Sequence, residues 1–231
     1  MWGKKVLVVG ASGDIGHAIA RTLHEAGAQV LMTGRSLKGL LRIKLSGAGP
    51  RPVLLAADLT SPADTDRLAT ELRMLQPLNA VVLTAGTYAR STSPDMLRRQ
   101  MEVNLLGPYA LLRGTLPLLI DSAGDVVFIN SSHALRASGE AGQYAATKHA
   151  LKAIADSLRD EVNDQNVRVT SIYLGRTAGE RQREIAAMEG QPYVPGRLIQ
   201  PDDVAGLVRN ILQLPRTAEI TDVSMLPRRR A

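Results

Sequence analysis

Short runs of apolar residues recur along the chain, and longer segments with apolar residues three or four positions apart lie between them. Such runs are typical of strands that are buried on both faces of a sheet. They occupy 5–9, 29–33, 53–56, 80–84, 125–129, 167–173 and 220–226. The longer segments predict helices at 15–26, 64–75, 94–119, 144–162 and 201–214, the third of them broken near residues 107 and 108. This alternation predicts an α/β fold, a doubly wound sheet of about seven mainly parallel strands with helices on both faces.

One long segment departs from the alternation. Residues 176–198 are rich in glycine and proline and show no clear period. A long irregular segment inside a compact domain is usually a lid or a binding loop, so we expect a substrate loop at about 176–198. The rest of the chain contains no linker or repeat, and the sequence therefore predicts a single domain over 1–231.

The composition narrows the possible chemistry. Hydrophobic residues make up 45% of the chain and aromatic residues only 3%, which predicts an aliphatic core. The absence of cysteine excludes a disulfide framework and a thiol nucleophile. The four histidines are not paired at ligand spacing, so we expect no metal site.

The formal net charge of +6 raises the question of a polyanionic partner. The basic residues are spread along the chain, and their one tight cluster is Arg228, Arg229 and Arg230, where a frayed tail is expected. A polyanionic cofactor accounts for this charge, so no nucleic-acid partner is expected. The apolar run near the N-terminus is too short for a signal peptide or a membrane span, which predicts a cytoplasmic protein with no membrane partner.

A glycine-rich turn, Gly10-Ala-Ser-Gly13-Asp-Ile-Gly16, follows the first predicted strand and precedes the first predicted helix. Glycine allows a tight reversal and a close approach of the backbone to a diphosphate, and the helix N-terminus offers free N–H groups. This context favours a Rossmann-like dinucleotide site over a purely structural turn. The residues expected to contact the cofactor here are Gly10, Ser12, Gly13, Asp14, Ile15 and Gly16.

The end of the second predicted strand bears on the choice of cofactor. An acidic residue there would hold the ribose 2′-hydroxyl of NAD, but this chain has Arg35 followed by Ser36. A guanidinium can pair with a 2′-phosphate through its planar fork, so the sequence favours NADP(H) and makes NAD(H) the lesser candidate. A solvated surface arginine is the alternative interpretation of Arg35.

A set of motifs farther along the chain resembles the short-chain dehydrogenase/reductase family. Tyr144-Ala-Ala-Thr-Lys148 is a YxxxK motif at the start of a predicted helix, with Ser131 thirteen residues before the tyrosine and Asn104 within a Val-Asn-Leu-Leu-Gly segment. The resemblance covers nearly the whole chain, because further motifs follow in the family's order. These motifs are Ala57-Asp58-Leu59, Thr84-Ala85-Gly86 and the Pro201-Asp202-Asp203 helix start.

This resemblance implies the roles of the site residues. The catalytic group would be Asn104, Ser131, Tyr144 and Lys148, with Ser132 as a rival for the serine. The implied cofactor contacts beyond the glycine turn and Arg35 are Ser36, Asp58, Leu59, Ala85, Gly86, Tyr144, Lys148, Gly175 and Thr177. Family members commonly form dimers or tetramers, so a homodimer or homotetramer is implied as well.

The chain departs from the family pattern at three places. Asp14 stands where the family's middle glycine usually lies. Thr84 stands where the family usually has asparagine, which changes the packing expected after the fourth strand. After the sixth strand, Leu174 replaces a proline and Gly179 replaces a threonine, which leaves Thr177 as the local candidate for contact with the carboxamide.

The spacing of the YxxxK motif has a physical reason. A free tyrosine has a pKa near 10, which is poorly matched to acid–base work at neutral pH. Lys148 is one helical turn from Tyr144, and a cation there lowers the pKa of the phenol. Ser131 would stabilise charge on the substrate oxygen. By resemblance, Lys148 also holds the nicotinamide ribose, and Asn104 supports a water chain that resupplies the proton.

The sequence thus predicts an NADP(H)-dependent oxidoreductase that acts on a small carbonyl or alcohol. A non-catalytic NADP(H)-binding regulatory protein is the alternative, which the complete set of four catalytic residues disfavours. Nucleic-acid binding is disfavoured because no basic stripe is interleaved with aromatic residues.

Overall fold

All seven strands lie parallel in one sheet, in the order β3-β2-β1-β4-β5-β6-β7. The structure is a computed structural model that describes residues 1–47 and 49–228, so Arg229 and Arg230 of the basic cluster lie outside it. The strands are β1 Lys5–Val9, β2 Gln29–Gly34, β3 Val53–Ala56, β4 Ala80–Leu83, β5 Asp125–Ser131, β6 Arg168–Leu174 and β7 Asp222–Met225. The predicted parallel sheet is confirmed.

Helices cover both faces of this sheet. They are α1 Asp14–Glu25, α2 Leu37–Leu41, α3 Pro62–Met74, α4 Pro94–Met101, α5 Gly107–Asp121, α6 Gly142–Val162, α7 Glu180–Met188 and α8 Pro201–Leu212. One apolar cluster joins one sheet face to α3, α5 and α6, with Leu72 and Leu111 among its buried members. The other joins the opposite face to α1 and α8, with Leu23 and Val208 among its members. The predicted two-sided arrangement is therefore confirmed.

Helix starts agree with the polar residues that precede them. Ser61 caps α3, where its hydroxyl accepts a hydrogen bond from the Asp64 backbone N–H at 3.3 Å. Gln200 and Asp203 form a reciprocal capping box at the start of α8. These side chains satisfy backbone N–H groups that have no partner within the helix.

Three features differ from the sequence-based expectation. The segment 176–198 contains a helix, α7, whose apolar positions are too few to produce a recognisable period. The five-residue helix α2 is likewise too short to show one. The predicted break near residue 107 is a π-helical turn, Glu102–Leu106, that joins α4 and α5 without interrupting the helical run.

The run Pro94–Asp121 has the length and composition of a membrane-crossing helix. In this fold, 56% of its most apolar window is buried within the protein. Because α5 packs against α3 and the sheet, core packing accounts for the apolar character of the run.

The sheet reverses its winding direction between β1 and β4. The chain runs outward from β1 through β2 to β3 and then crosses back to place β4 on the other side of β1. In open α/β sheets, ligands bind beyond the carboxyl ends of the strands at such a reversal. The glycine turn after β1 and the Thr84-Ala85-Gly86 segment after β4 meet at this place.

Candidate active site

The glycine turn packs directly against the segment that follows β4. Gly10 has a φ of +87°, and a Cβ at Gly10 would lie 2.8 Å from the Ala85 backbone nitrogen. The Thr84 hydroxyl donates a hydrogen bond to the Val9 carbonyl oxygen at 2.6 Å and also contacts the Gly10 carbonyl oxygen. Thr84 therefore supplies the packing contact at the position where the family usually has asparagine.

The turn fits a diphosphate. Gly13 is the N-cap of α1, and the backbone N–H groups of the first helical turn have no partners within the helix. A Cβ at Gly13 would meet only the Gly10 carbonyl oxygen, at 3.6 Å, so the space in front of the turn is open. Free N–H groups and the positive end of the helix dipole at an open turn make an anion site.

Two cavities meet at this turn. The larger has a volume of about 470 Å³ and the smaller about 330 Å³. Residues of the predicted site that line the larger cavity are Gly10, Gly13, Asp14, Ile15, Gly16, Gly86, Ser131, Ser132, Tyr144, Lys148, Gly175 and Thr177. Those that line the smaller cavity are Gly10, Ser12, Gly13, Arg35, Asp58, Leu59, Ala85 and Gly86. Together the two cavities form a continuous groove along the carboxyl edge of the sheet.

The predicted Ser–Tyr–Lys group lies on one wall of the larger cavity. Ser131 ends β5, while Tyr144 and Lys148 are one turn apart on α6. The Ser131 hydroxyl accepts a hydrogen bond from the His133 backbone N–H at 3.2 Å and lies 3.3 Å from His133 Nδ1, and it is close enough to the Tyr144 phenol to lower its pKa. Ser132 lines the same cavity, but its hydroxyl has no such hydrogen bond among the residues that the structure describes.

Aromatic rings hold Tyr144 on two sides. The Tyr88 ring centroid lies 5.0 Å from that of Tyr144, and the His133 ring centroid lies 5.6 Å from it, both edge to face. Burial raises the pKa of the Tyr144 phenol, and the charge of Arg181 and the hydrogen bond from Ser131 lower it in part. The cation that lowers this pKa is thus Arg181, a residue that the sequence did not single out.

Lys148 is a buried amine whose side chain is part of the cavity wall. It is only 4% exposed, and its Nζ lies 5.7 Å from the Tyr144 ring centroid. Burial, together with the charge of Arg181, lowers the pKa of Lys148 to about 7. A Cβ at Gly86 would lie 3.8 Å from Nζ, so the amine also faces the segment after β4.

Asn104 lies in the π-helical turn and is fully buried. Its Oδ1 accepts a hydrogen bond from the Thr87 backbone N–H at 2.6 Å. Its Nδ2 donates to the Thr87 carbonyl oxygen at 2.9 Å and to the Thr147 hydroxyl at 3.0 Å. The amide therefore ties the segment after β4 to α6 and lines neither cavity. π-Helical turns of this kind are frequent at functional sites.

Of the residues predicted to hold the adenosine part of the cofactor, Asp58 and Arg35 line the smaller cavity and Ser36 does not. Asp58 accepts hydrogen bonds from the Thr60 backbone and hydroxyl, which lower the pKa of its carboxyl together with the charges of Arg35 and Arg99. Arg35 lines the smaller cavity. Ser36 does not, because its hydroxyl caps α2 by accepting from the Gly39 N–H at 3.1 Å.

Gly175 and Thr177, which follow β6, line the larger cavity. The Thr177 hydroxyl donates to the Gly175 carbonyl oxygen at 3.1 Å, and Thr177 pairs with Ile199 in an isolated bridge. A Cβ at Gly175 would lie 2.8 Å from Pro227 Cδ, so this position has no room for a side chain.

Charged residues that the sequence did not predict also line the larger cavity. Arg176 makes a two-point ion pair with Glu189, at 2.7 and 2.9 Å. Arg90 also pairs with Glu189, and it donates to the Tyr88 hydroxyl at 3.0 Å. This network ties α7 to the loop after β4. No sequence motif marks these residues, because their contacts depend on how the loops meet in space.

Metal ligation is a separate question for this site. Within residues 1–47 and 49–228, no group of three or more His, Asp or Glu side chains is placed to hold a metal ion.

Fold and site together define a dinucleotide-binding protein of the Rossmann class. The sequence model of the short chain dehydrogenase family matches residues 4–190. An uncharacterised short-chain type dehydrogenase/reductase of Sinorhizobium fredii is 31% identical over 226 residues, 96% of this chain and 90% of that protein. The L-fucose dehydrogenase of Mus musculus is 34% identical over 210 residues, 86% of this chain and 76% of that enzyme.

Among solved structures, a metagenomic short-chain oxidoreductase in complex with NADP is similar to this chain with a TM-score of 0.84 at 27% identity. The similarity covers 98% of each chain. This protein belongs to the short-chain dehydrogenase family of oxidoreductases.

Proposed function

We propose that this protein is an NADP(H)-dependent oxidoreductase that transfers a hydride between the nicotinamide and a small carbonyl or alcohol. The observation that carries the proposal is that Ser131, Tyr144 and Lys148 line one cavity that also reaches the glycine turn at Gly13. A substrate oxygen beside Tyr144 and a dinucleotide on the turn would therefore adjoin. When bound, the nicotinamide supplies or accepts the hydride.

Tyr144 is the proposed general acid and base. Burial raises the pKa of its phenol, so the phenol holds its proton at neutral pH and can donate it to a substrate oxygen. The charge of Arg181 and the hydrogen bond from Ser131 lower the same pKa in part and favour the phenolate that results. In the oxidative direction the phenolate accepts the proton of the alcohol.

Ser131 is the proposed stabiliser of the substrate oxygen, in preference to Ser132. Its hydroxyl is held by a hydrogen bond from the His133 backbone N–H, lowers the pKa of the Tyr144 phenol and lines the same cavity, so one substrate oxygen could contact both hydroxyls. A fixed donor of this kind stabilises charge that develops on the oxygen.

Lys148 is the proposed partner of the nicotinamide ribose. Its amine faces Gly86, which borders both cavities, and burial keeps the side chain in one place. Asn104 is a positioning residue, because it fixes Thr87 and Thr147 on either side of the site. Its support of a water chain that returns the proton to Tyr144 remains a prediction.

The preference for NADP(H) rests on the adenosine end of the groove. Arg35 and Arg99 line the smaller cavity, and neither has a carboxylate within 4.0 Å among the described residues. Two guanidinium groups that make no ion pair at this distance are available to bind a 2′-phosphate. The metagenomic relative, which binds NADP, is consistent with this preference.

The test is spectrophotometric. We expect the purified protein to oxidise NADPH with at least one member of a panel of ketones, aldehydes and quinones, and Tyr144→Phe to lose that activity. Binding of NADPH without turnover across the panel would favour the alternative, a non-catalytic NADP(H)-binding regulatory protein. We also propose a homodimer or homotetramer, by analogy with the family, which light scattering of the same sample would test.

A further inference from the structure

The side chain of Arg181 crosses the groove where its two cavities meet. Five residues line both cavities, and Arg181 is the member of this set with a charged side chain; the five are Gly10, Gly13, Thr84, Gly86 and Arg181. The Arg181 guanidinium donates a hydrogen bond to the Gly86 carbonyl oxygen. The side chain thus extends to the segment after β4 at Gly86, which also faces Lys148.

The start of α7 is seated on the glycine turn, which aims Arg181 into the groove. The Asp14 carboxylate accepts a hydrogen bond from the Glu180 backbone N–H at 2.9 Å. Gly179 has a φ of +148°, and a Cβ there would overlap the Asp14 carboxylate. The Gly179 N–H donates to the Tyr193 hydroxyl at 3.0 Å, which holds the same backbone from the other side. Arg181 follows this anchored backbone by one residue.

Arg181 lacks an acidic partner, in contrast to its neighbours. Arg183 pairs with Glu180, and Arg176 pairs with Glu189, but no carboxylate of the described residues lies within 4.0 Å of Arg181. Its charge nevertheless acts on the site, because it lowers the pKa of both Tyr144 and Lys148 after burial has had its effect. The guanidinium is therefore a cation in the groove whose hydrogen-bond acceptor, within residues 1–47 and 49–228, is a neutral carbonyl.

A cation near the glycine turn would offset the negative charge of Asp14. Asp14 brings a carboxylate to the turn at which a diphosphate would bind, and this charge opposes an anionic ligand. A guanidinium forms stronger hydrogen bonds with phosphate oxygens than with a neutral carbonyl, and its planar fork can contact two of them at once.

We propose that Arg181 is a ligand of the cofactor diphosphate, which exchanges its bond to the Gly86 carbonyl for bonds to diphosphate oxygens. This inference rests on the proposed function, since it requires a dinucleotide in the groove. Diphosphate is common to NADPH and NADH, so Arg181 contributes equally to both, whereas Arg35 acts on the 2′-phosphate alone.

The test uses Arg181→Gln and four ligands, with dissociation constants measured by fluorescence or calorimetry. NADPH, NADH and ADP-ribose contain the diphosphate, and 2′-AMP does not. We expect the three diphosphate ligands to bind about 10-fold to 100-fold more weakly to the variant, from the usual contribution of a hydrogen bond to a charged group. We expect 2′-AMP to bind as it does to the unchanged protein.

Arg197→Gln is the matched control, because it removes the same charge from the same segment at an exposed position that lines neither cavity. It should leave all four affinities unchanged. If Arg181→Gln bound ADP-ribose as tightly as the unchanged protein does, the inference would be overturned while the proposed function would stand. An equal loss of affinity for ADP-ribose and 2′-AMP would have the same consequence. If the unchanged protein bound no nicotinamide dinucleotide, both the inference and the proposed function would fall.

Discussion

Lys148 Nζ lies 5.7 Å from the centroid of the Tyr144 ring, because the two residues occupy the same face of α6 one turn apart. Lys148 is buried and the Tyr144 residue is half-buried, and desolvation has opposite effects on the pKa values of their two groups. It raises the pKa of the phenol and lowers that of the amine to about 7. At neutral pH the site therefore holds a protonated phenol beside an amine that exchanges its proton readily. This arrangement suits the role of Tyr144, which would donate a proton and then recover one.

We expect Tyr144→Phe to lower turnover by about 100-fold to 10,000-fold, the usual contribution of a general acid or base, and to leave NADPH affinity within a few-fold of native. Phenylalanine keeps the ring that packs between Tyr88 and His133 but removes the hydroxyl. Turnover and NADPH affinity are measured side by side once a substrate is found.

Tyr109→Phe is the control for that variant, since Tyr109 is exposed on α5 and lines neither cavity. It should behave as the unchanged protein does. Near-native turnover of Tyr144→Phe would remove the central residue of the proposed mechanism.

We expect Lys148→Met to increase the free energy of unfolding, most of all at low pH. The folded pKa of Lys148 is about 7, below its ordinary value of 10.5. Between these values the unfolded chain binds a proton that the folded chain does not, so the stability of the unchanged protein rises with pH across this window. Below pH 7 the amine is charged in both states and the full cost of burying the charge is present. Methionine has similar length and carries no charge.

The measurement is denaturant unfolding of both proteins at about pH 6 and about pH 10, where this linkage is respectively full and nearly lost. At the lower pH the variant should have a larger free energy of unfolding than the unchanged protein, and this difference between the two proteins should shrink at the higher pH. A difference that is constant with pH would contradict the lowered pKa of Lys148.

The sheet was predictable because its strands are buried on both faces. In β1 the four residues after Lys5 are all apolar and buried, and a surface helix would not carry such a run. Helix α6 was predictable from the periodic spacing of Leu151, Ala155 and Leu158. Helix α7 was not, because it buries only Gln182 and Ala186 and is held by Asp14 and an ion-pair network.

The site residues likewise differ in how far the sequence predicts them. Ser131, Tyr144 and Lys148 could be predicted together because they resemble the family's motif, and one turn of α6 accounts for the spacing of the last two. Arg181 and Arg99 could not, since each reaches the groove from an element whose position depends on tertiary contacts. The lowered pKa of Lys148 likewise arises from burial, which the YxxxK motif does not encode.

We expect Arg35→Ala to weaken NADPH binding by about 10-fold or more and to leave NADH binding unchanged. The substitution removes a guanidinium that would hydrogen-bond the 2′-phosphate, and only NADPH carries that phosphate. Lys38→Ala is the control, because Lys38 is a nearby exposed cation on α2 that does not line the groove. Affinities for both cofactors are measured by fluorescence titration. Tighter binding of NADH than NADPH by the unchanged protein, or no effect of Arg35→Ala, would show that Arg35 is only a surface residue.

We expect glycine-to-alanine substitutions to separate the structural glycines of the turn from the one that faces the ligand. A Cβ at Gly16 would overlap the Gly10 carbonyl oxygen, which is backbone and cannot move away cheaply, so Gly16→Ala should destabilise the fold by about 1–3 kcal/mol or more. Alanine at Gly206, in α8 with nothing within 4 Å, should instead stabilise the protein by up to about 1 kcal/mol through helix propensity.

Gly13→Ala should unfold close to the midpoint of the unchanged protein, because its Cβ makes only an ordinary contact. It should bind NADPH more weakly, because the methyl group enters the space in front of the turn. Denaturant unfolding and NADPH titration of the three variants measure these effects. Equal stabilities for Gly16→Ala and Gly206→Ala would show that the turn is not packed as described, and unchanged NADPH binding by Gly13→Ala would place the diphosphate elsewhere.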